Sequence, residues 1–258
     1  MKIKTFIFVL SLLFLSPIQA VFADDITVAA ERSSWCPYIC ESGEKPGYMV
    51  EIAQAILEAN GHKFSYVNMP WAQAKAELSN GIIDAIIGIT DPAKSPDFIF
   101  SDSLGEVADN FYGKKGEKWR YTGIKSLKLT RLGVVKDYVY GEAIDAYIAD
   151  NQGTDAIKVV ASERGLVQEL MMGRVDVIIS TNAVFTYSIL DMKDTMDSFE
   201  DAGVLWASYG VYMGFSPASA KLEKSKVYAE IINKGISVLR DSGKLETIMN
   251  KYGLSDWE

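Results

Sequence analysis

The chain has 258 residues, which is enough for two lobes of ordinary domain size. Its 26 basic and 34 acidic side chains give a net charge of −8, and this acidic balance disfavours nucleic acid or anionic lipid as a partner. A single histidine and two cysteines argue against a histidine-based catalytic triad and against a zinc site, so we predict no cofactor and no metal.

Residues 1–23 have the pattern of a secretory leader. Two lysines precede an almost wholly apolar run over residues 5–16, and Val21-Phe22-Ala23 offers small residues at the cleavage positions. A membrane anchor is the alternative, but the apolar run is shorter than the roughly 20 residues that a membrane span needs. We therefore expect a soluble, periplasmic chain that begins near residue 24. Its 24 basic and 34 acidic side chains would give a net charge of −10.

The two cysteines, Cys36 and Cys40, lie in the sequence Trp-Cys-Pro-Tyr-Ile-Cys. Exported proteins meet oxidising conditions, so we predict a local disulfide between them, with free thiols as the alternative. The closed loop is short and its entropic contribution is therefore small. Such a disulfide would shape the loop rather than hold the fold.

Hydrophobic periodicity and Gly/Pro breaks predict alternating strands and helices. The first half contains predicted strands at 26–30, 63–69 and 82–89 and helices at 47–60 and 71–80, followed by loop with short extended pieces over 90–110. The second half contains predicted strands at 132–135, 157–160 and 175–179, helices at 141–151, 163–172 and 183–191, an apolar stretch at 204–215, and helices at 218–241 and 244–252. This alternation indicates an α/β fold with largely parallel pairing.

One sequence motif occurs twice in the chain. Residues 78–88 read LSNGIIDAIIG and residues 170–180 read LMMGRVDVIIS, with Gly81 and Gly173 at matching positions. Each copy is typical of the end of a helix, a glycine stop and a buried strand. The repetition predicts two lobes built alike, with a ligand held in the cleft between them. No flexible linker is visible, so we expect two short hinge crossings near residues 110–116 and 205–212.

Several short motifs resemble those of a known family. They are Trp35-x-Pro37-Tyr38, Gly47-Tyr48-Met49-Val50-Glu51, Pro70-Trp71, Ile83-Asp84-Ala85, Phe100-Ser101-Asp102 and the ending Gly243-Lys-Leu-x-x-Ile248 with Lys251-Tyr252-Gly253. Their order and spacing over the whole mature chain resemble the periplasmic solute-binding proteins of ABC importers, in the polar-amino-acid-binding family 3.

This resemblance implies a type II two-lobe fold, in which each lobe is a mixed, largely parallel sheet flanked by helices. The first lobe would comprise residues 24–112 and 210–258, and the second lobe residues 113–209, joined by two hinge crossings. It also implies a monomer that captures a small polar solute by closing its lobes and then docks on an ABC permease in the inner membrane. The ligand would favour closure only through its higher affinity for the closed state.

The family's amino-acid clamp is altered at both ends. Typical members place an Arg ahead of the Phe-Ser pair to hold the ligand carboxylate, and Lys94 stands at about that position. Lys is a point charge and lacks the forked geometry of Arg. Typical members also place an Asp after the second-lobe strand to hold the ligand ammonium, and Thr181 stands there. The ligand could thus be an amino acid, a modified amino acid or another small polar or anionic solute.

We predict ligand contacts at strand-to-helix connections, which face the cleft in this architecture. The candidates are Trp35, Tyr38, Trp71, Thr90, Lys94, Tyr140, Gly141, Thr181 and Asn182. The aromatic residues could sandwich a ligand or could fill the core. Asn182 could equally cap a helix. Ser180, Glu31 and Arg32 are further possibilities, the last two also being compatible with a surface charge pair.

Three other residues are interpreted as structural. Asp84 and Asp176 lie inside the repeated motif, and we expect each to orient a turn rather than to act as a catalytic acid or base. His62 follows Gly61 in a turn, and we expect it to be exposed.

The leading hypothesis for function is a binding protein without catalysis, because no Gly-x-Ser-x-Gly motif, phosphate loop or metal-ligand cluster is visible. An enzyme on the same scaffold is the second hypothesis, since exported dehydratases resemble this family and use a carboxylate in the cleft as proton donor. Glu31 or Glu106 would have to supply that carboxylate. A soluble receptor that reports to a membrane sensor is the third.

Overall fold

The computed structural model describes residues 23–31, 35–136, 138–192 and 196–258, so most of the predicted leader and Arg32 lie outside the described residues. The strands are β1 (Asp25–Glu31), β2 (Lys63–Met69), β3 (Ala85–Ile89), β4 (Ile99–Val107), β5 (Asp109–Lys114), β6 (Leu132–Val135), β7 (Ile157–Val160), β8 (Val177–Thr181), β9 (Phe199–Val204) and β10 (Tyr209–Phe215). The helices are α1 (Tyr48–Ala59), α2 (Trp71–Ser79), α3 (Ile124–Leu127), α4 (Glu142–Asn151), α5 (Glu163–Met171), α6 (Asn182–Asp191), α7 (Leu222–Asp241) and α8 (Lys244–Asn250).

Two five-stranded mixed sheets form the centre of the molecule, and this confirms the predicted fold class. The first sheet has the order β2-β1-β3-β10-β4, with β1 parallel to β2 and β3 and with β10 antiparallel to β3 and β4. The second has the order β7-β6-β8-β5-β9, with β6 parallel to β7 and β8 and with β5 antiparallel to β8 and β9. The two sheets thus repeat one topology.

The chain passes between the sheets twice. Ala108 separates β4 from β5, and residues 205–208 separate β9 from β10. Residues 109–112, which the sequence assigns to the first lobe, begin β5 of the second sheet. We retain the two-lobe division as a proposal, with its crossings at these two points.

The repeated motif forms the same hydrogen-bonded junction between parallel strands in both sheets. The Asp84 N–H donates to the Thr27 carbonyl, and an Asp84 carboxylate oxygen accepts from the Thr27 N–H at 2.8 Å. Asp176 exchanges the same two bonds with Arg131, again at 2.8 Å for the carboxylate. Each aspartate therefore joins the start of one parallel strand to its neighbour, and the structural interpretation of both residues is confirmed.

Helix α6 connects the two hydrophobic cores. Phe185 and Ile189 pack among the second sheet's residues, where Phe185 stacks on Tyr112 at a centroid distance of 3.9 Å. Ala183 and Val184, on another face of the same helix, belong to the core of the first sheet. This helix therefore extends the core of one sheet onto the core of the other.

Three strands were not predicted from the sequence: β4 and β9, which lie at sheet edges, and β5, which lies between β8 and β9. β4 falls within the segment predicted to be loop over 90–110, and β9 has no predicted counterpart. The sequences IFSDSLGEV and FEDAGV alternate irregularly and carry several charges. Edge strands pair on one side only and often carry polar residues, so the apolar run that marks a central strand is missing.

His62 is buried, contrary to the prediction that it is exposed. Its side chain is only 7% exposed, its Nδ1 accepts from the Asp24 N–H at 3.4 Å, and the Tyr228 ring packs edge-on against it at 5.3 Å. The covering groups come from the residue before β1 and from α7, which are distant in the chain. A local turn pattern cannot show such long-range packing.

None of the helices in the described ranges has the length and apolar character required to cross a membrane.

Candidate functional site

The disulfide loop follows β1 and lies beside the second sheet. Cys36 and Cys40 are joined, as the sequence predicts, with their Cα atoms 4.7 Å apart. The loop is tied to the first sheet because the Cys40 carbonyl accepts from the Tyr66 hydroxyl at 2.9 Å. Gly47 is required under this loop, since its φ is 106° and a Cβ there would lie 2.5 Å from the Tyr38 carbonyl oxygen.

Tyr38 links the loop directly to the second sheet. Its side chain is fully buried, and its hydroxyl donates to Asn182 Oδ1 at 2.8 Å and weakly to the Glu106 carbonyl at 3.4 Å. Asn182 Oδ1 also accepts from the Ala183 N–H, while the Asn182 N–H donates to the Ala108 carbonyl. Trp35 stacks on Tyr38 with ring centroids 4.8 Å apart. Three predicted candidates, Trp35, Tyr38 and Asn182, therefore lie together at a junction near the β4–β5 crossing.

A cavity of about 320 Å³ separates this loop from the second sheet. Cys36 lines it from the first-sheet side. The residues facing Cys36 include Lys136 and Tyr138 after β6, Glu163 at the start of α5, and Val184 and Tyr187 of α6. Such a position, at the carboxyl ends of parallel strands and between two lobes, is where small ligands bind in α/β proteins.

Glu163 is a half-buried acid that lines this cavity. Ser180 Oγ donates to Glu163 Oε2 at 2.8 Å, and this bond favours the ionised form. Burial outweighs it and raises the Glu163 pKa to about 7, and the negative charge of Asp109 raises it further. At neutral pH the carboxyl therefore titrates, which is the property expected of a group that exchanges a proton when a charged ligand arrives.

Asp109 is a second desolvated carboxyl, at the start of β5. Thr181 Oγ1 donates to Asp109 Oδ1 at 2.6 Å, and burial nevertheless raises the Asp109 pKa above its ordinary value. Asp109 pairs with Thr181 across the β5–β8 ladder. Thr181 stands where the family pattern has an Asp, and the carboxylate of Asp109 on the neighbouring strand lies beside it.

The loop after β6 is packed more tightly than a free ligand-binding loop would be. Tyr140 is buried and its hydroxyl accepts from the Val135 N–H at 2.8 Å. Gly141 has φ 90°, and a Cβ there would lie 2.3 Å from the Trp206 ring. Both residues thus have structural partners, and Tyr138, two residues earlier, is the one that lines the cavity.

The other first-lobe candidates lie apart from this cavity. Trp71 is half-buried against the core between α2 and the first sheet. Thr90 is exposed after β3. Lys94 ends a short 3-10 turn with its side chain 84% exposed, and it forms an ion pair with Asp91 at 3.3 Å. Glu31 and Glu106, the acids on which the enzyme hypothesis depends, are both exposed, and neither lines the cavity.

Sequence reasoning missed Glu163 and Asp109 as site residues. It considered the ends of the strands equivalent to β1, β2, β3, β6 and β8 but not that of β7, after which Ser162 and Glu163 occur. Ser162 caps α5 by accepting from the Gly165 N–H at 3.2 Å, and this cap places Glu163 in the first turn. The sequence Ala-Ser-Glu directly after a strand was the available signal.

Comparison with known families identifies the chain. The model of bacterial extracellular solute-binding proteins, family 3, matches residues 26–255. The chain belongs to this family. Among known relatives, a probable histidine-binding protein of Neisseria gonorrhoeae is 25% identical over 231 residues, which is 86% of this chain and 81% of that protein.

Solved structures of similar proteins share the fold. A polar amino acid ABC uptake transporter substrate-binding protein of Streptococcus thermophilus superposes with a TM-score of 0.69 at 18% identity, covering 91% of this chain and 88% of that one. The L-cystine solute receptor of Neisseria gonorrhoeae, in an unliganded open conformation, gives a TM-score of 0.67 at 15% identity, covering 92% and 96%. The family 3 protein described here therefore has the type II two-lobe fold, as predicted.

Proposed function

We propose that this family 3 protein captures a polar amino acid or a close derivative in the cleft between its two sheets and delivers it to an ABC permease. The names of the three similar proteins all refer to amino acids: histidine, L-cystine and polar amino acids. The predicted leader and the family's extracellular character support capture in the periplasm.

The observation that carries this proposal is the cavity between the disulfide loop and the second sheet. It is lined from both sides, so a solute held there would contact both lobes at once. Such a solute binds the closed arrangement more tightly than an open one, and that difference in affinity is what drives closure. A permease can then distinguish the loaded from the empty protein by shape.

A screen of thermal stability tests the proposal. The protein would be purified after export and heated with each of the common amino acids, with organic acids and with sugars. A ligand present at 100 times its Kd contributes about 2.7 kcal/mol to the free energy of unfolding. For a chain of this size we expect the melting temperature to rise by roughly 5–10 °C. A rise with sugars or organic acids alone would contradict the proposed ligand class.

Lys94 remains a proposed contact for the ligand carboxylate. Its partner Asp91 is a neighbour in the same exposed turn, and exposed pairs of this kind contribute little to stability, so the lysine could exchange that partner for a ligand at small cost. We expect Lys94→Ala to weaken the binding of an amino acid by about tenfold or more, as for a charge-assisted hydrogen bond. Titration calorimetry would measure this, with the exposed Lys118→Ala as control. An unchanged Kd would place Lys94 outside the site.

A further inference from the structure

One segment beside the second sheet is strongly basic although the chain as a whole is acidic. Residues 113–131 contain seven basic side chains and one acidic side chain, a net charge of +6. The other residues contain 19 basic and 33 acidic side chains, a net charge of −14. Charges in water are screened beyond about 8–10 Å, so a partner at a surface meets the local charge rather than the total. This segment can therefore attract an anionic partner that the acidic balance of the whole chain disfavours.

The segment lies at the end of the second sheet away from the cavity. It joins Lys114, the last residue of β5, to Leu132, the first residue of β6. The cavity lies at the other end of β6, where Lys136 lines it. Because a strand rises about 3.3 Å per residue, β5 places Lys114 roughly 17 Å from Asp109 at the crossing between the sheets. A partner bound at the basic segment would leave the cavity free for a solute.

Five lysines of this segment have no acidic partner. The two arginines are already paired, Arg120 with Glu200 at 3.0 Å and Arg131 with Asp176 at 2.5 Å. The lysines form no ion pair with any carboxylate of the described residues. Four of them are exposed and one is half-buried. These five residues, which we term the basic face, are Lys114, Lys115, Lys118, Lys125 and Lys128.

A hydrogen-bonded turn connects the two parts of the basic face. The Trp119 Nε1–H donates to the Ser126 carbonyl at 3.0 Å, and the Thr122 N–H donates to Ser126 Oγ at 3.2 Å. The Trp119 ring packs edge-on against Phe111 of β5, with ring centroids 5.7 Å apart. The loop that carries the first lysines is thereby fixed against α3, which carries the last ones, and both are anchored to the sheet.

An exposed leucine lies among these lysines. Leu127 is fully buried and defines the inward side of α3. Lys125, Lys128 and Leu129 are spaced by three and four residues, so they share the outward side of this turn, where Leu129 is 83% exposed. A polyanion such as nucleic acid or an acidic protein would need only the lysines. A lipid surface also accommodates the leucine, whose side chain enters the acyl boundary while the ammonium groups remain at the headgroups.

We propose that the basic face and Leu129 dock the protein on an anionic phospholipid bilayer. Each lysine near an anionic surface raises the affinity for the membrane about fivefold, so five lysines can hold the protein reversibly. This function goes beyond solute capture and does not depend on the identity of the solute. A protein retained at a membrane surface searches for a membrane partner in two dimensions, and its cleft remains open to solute.

Co-sedimentation of the exported protein with lipid vesicles tests this proposal. Equal amounts of phosphatidylglycerol and phosphatidylcholine provide the anionic surface, and phosphatidylcholine alone provides the neutral one. We expect binding to the anionic vesicles only, and about tenfold weaker binding at high salt than at low salt. Lys125→Glu combined with Lys128→Glu should lower the affinity by about 25-fold or more. The control combines Lys75→Glu with Lys244→Glu, exposed residues of α2 and α8 that change the net charge equally, and it should retain the binding.

A second variant isolates the apolar contribution. Leu129→Ala should lower the affinity for anionic vesicles severalfold, because less apolar surface leaves water, while the dependence on salt stays the same. Val139→Ala is the matched control, since Val139 is 84% exposed in the loop after β6. Equal affinities of the two variants would show that the leucine does not enter the bilayer and would overturn its part in the docking.

Several results would overturn the assignment to lipid. They are equal binding to neutral and anionic vesicles, no binding to either at low salt, and equal affinities of the two charge-reversed double variants. Binding to heparin without binding to vesicles would likewise assign the basic face to a soluble polyanion instead. The melting temperature of the variant with Lys125→Glu and Lys128→Glu should respond to amino acids as the parent does, so solute capture and lipid docking are tested separately. Circular dichroism would show that each variant is folded.

Discussion

At the scale of single residues, Glu163 is unusual because it lowers the stability of the ligand-free fold. Its ordinary pKa of about 4.5 rises to about 7 in the folded chain. Between these values the folded state binds more protons than the unfolded state, so the free energy of unfolding falls as pH rises. The loss begins near pH 4.5 and is complete above pH 7. A residue retained at such a cost is typical of a binding site.

We therefore expect Glu163→Gln to stabilise the ligand-free protein at pH 8 but to have little effect near pH 4. The gain at pH 8 should be about 1–3 kcal/mol, since each pKa unit corresponds to about 1.4 kcal/mol. Melting temperatures measured across this pH range would show it, with the exposed Glu117→Gln as control. A Glu163→Gln variant that melts lower than the parent at pH 8 would mean that the carboxylate is a structural group.

Asp84 represents the opposite case, a carboxylate whose partners lie within the fold. It accepts from the Thr27 N–H and forms an ion pair with Lys221 at 2.6 Å, with only 15% of its side chain exposed. Asp84→Ala leaves both donors unpaired, and we expect a loss of about 2–4 kcal/mol in the free energy of unfolding. Urea denaturation would measure the loss against Asp150→Ala on the exposed face of α4. Ligand affinity should not change, because Asp84 lies at the start of β3, far from its cleft end.

At the scale of elements, the start of α4 depends on a glycine. Gly141 has φ 90° and lies against Trp206, which belongs to the crossing between β9 and β10. Gly153 has a similar φ of 86° but nothing within 4 Å of its Cβ position. The pair separates two costs: the strained backbone alone, and the strain together with a steric clash.

We expect Gly153→Ala to lower the free energy of unfolding by about 1 kcal/mol, the cost of a left-handed conformation for an ordinary residue. Gly141→Ala should cost distinctly more, by about 1–3 kcal/mol further, because its φ of 90° and ψ of 155° are open essentially to glycine alone and because Trp206 must move. Chemical denaturation of both variants would compare these values. Equal losses would show that neither the backbone at position 141 nor the contact with Trp206 adds a cost.

Most central strands of the two sheets could be predicted from the sequence, but β5 could not. The repeated motif, which contains Asp84 and Asp176, predicts the positions of β3 and β8. In each copy a glycine ends a helix and a continuous apolar run follows. The edge strands β4 and β9 could not be predicted, because their pattern is polar and their position depends on pairing with β10 and β5. Four-residue α3 is too short to show helical periodicity.

Of the candidate site, the sequence predicts residues that lie beside the cavity but not the acids Glu163 and Asp109. Tyr38, Thr181 and Asn182 lie next to the cleft, as strand ends should, but which groups face the cavity depends on the sheet order and on the face of each strand. Asp109 contributes because β5 lies beside β8, a neighbour that comes about 70 residues later in the chain. Local sequence cannot specify such a contact.

At the scale of the whole molecule, the two sheets are held together by contacts that depend on the relative position of the lobes. The Tyr38 hydroxyl bonds to Asn182, and Ala183 and Val184 of α6 enter the core of the first sheet. The two crossings alone are short and would permit rotation. The hydrogen bond between Tyr38 and Asn182 is therefore a contact that could bias the angle between the lobes.

We expect Tyr38→Phe to weaken this bias while leaving each lobe folded. The loss of one buried hydrogen bond should cost about 1 kcal/mol, since Asn182 Oδ1 keeps its bond from the Ala183 N–H. Tyr66→Phe is the matched control, because the Tyr66 hydroxyl bonds to the Cys40 carbonyl within the first lobe. Small-angle scattering without ligand should give a larger radius of gyration for Tyr38→Phe than for Tyr66→Phe. Saturating ligand should remove the difference, because a solute that contacts both lobes restores the closed arrangement. Identical radii in the absence of ligand would show that the packing of α6, rather than the hydrogen bond, fixes the angle between the lobes.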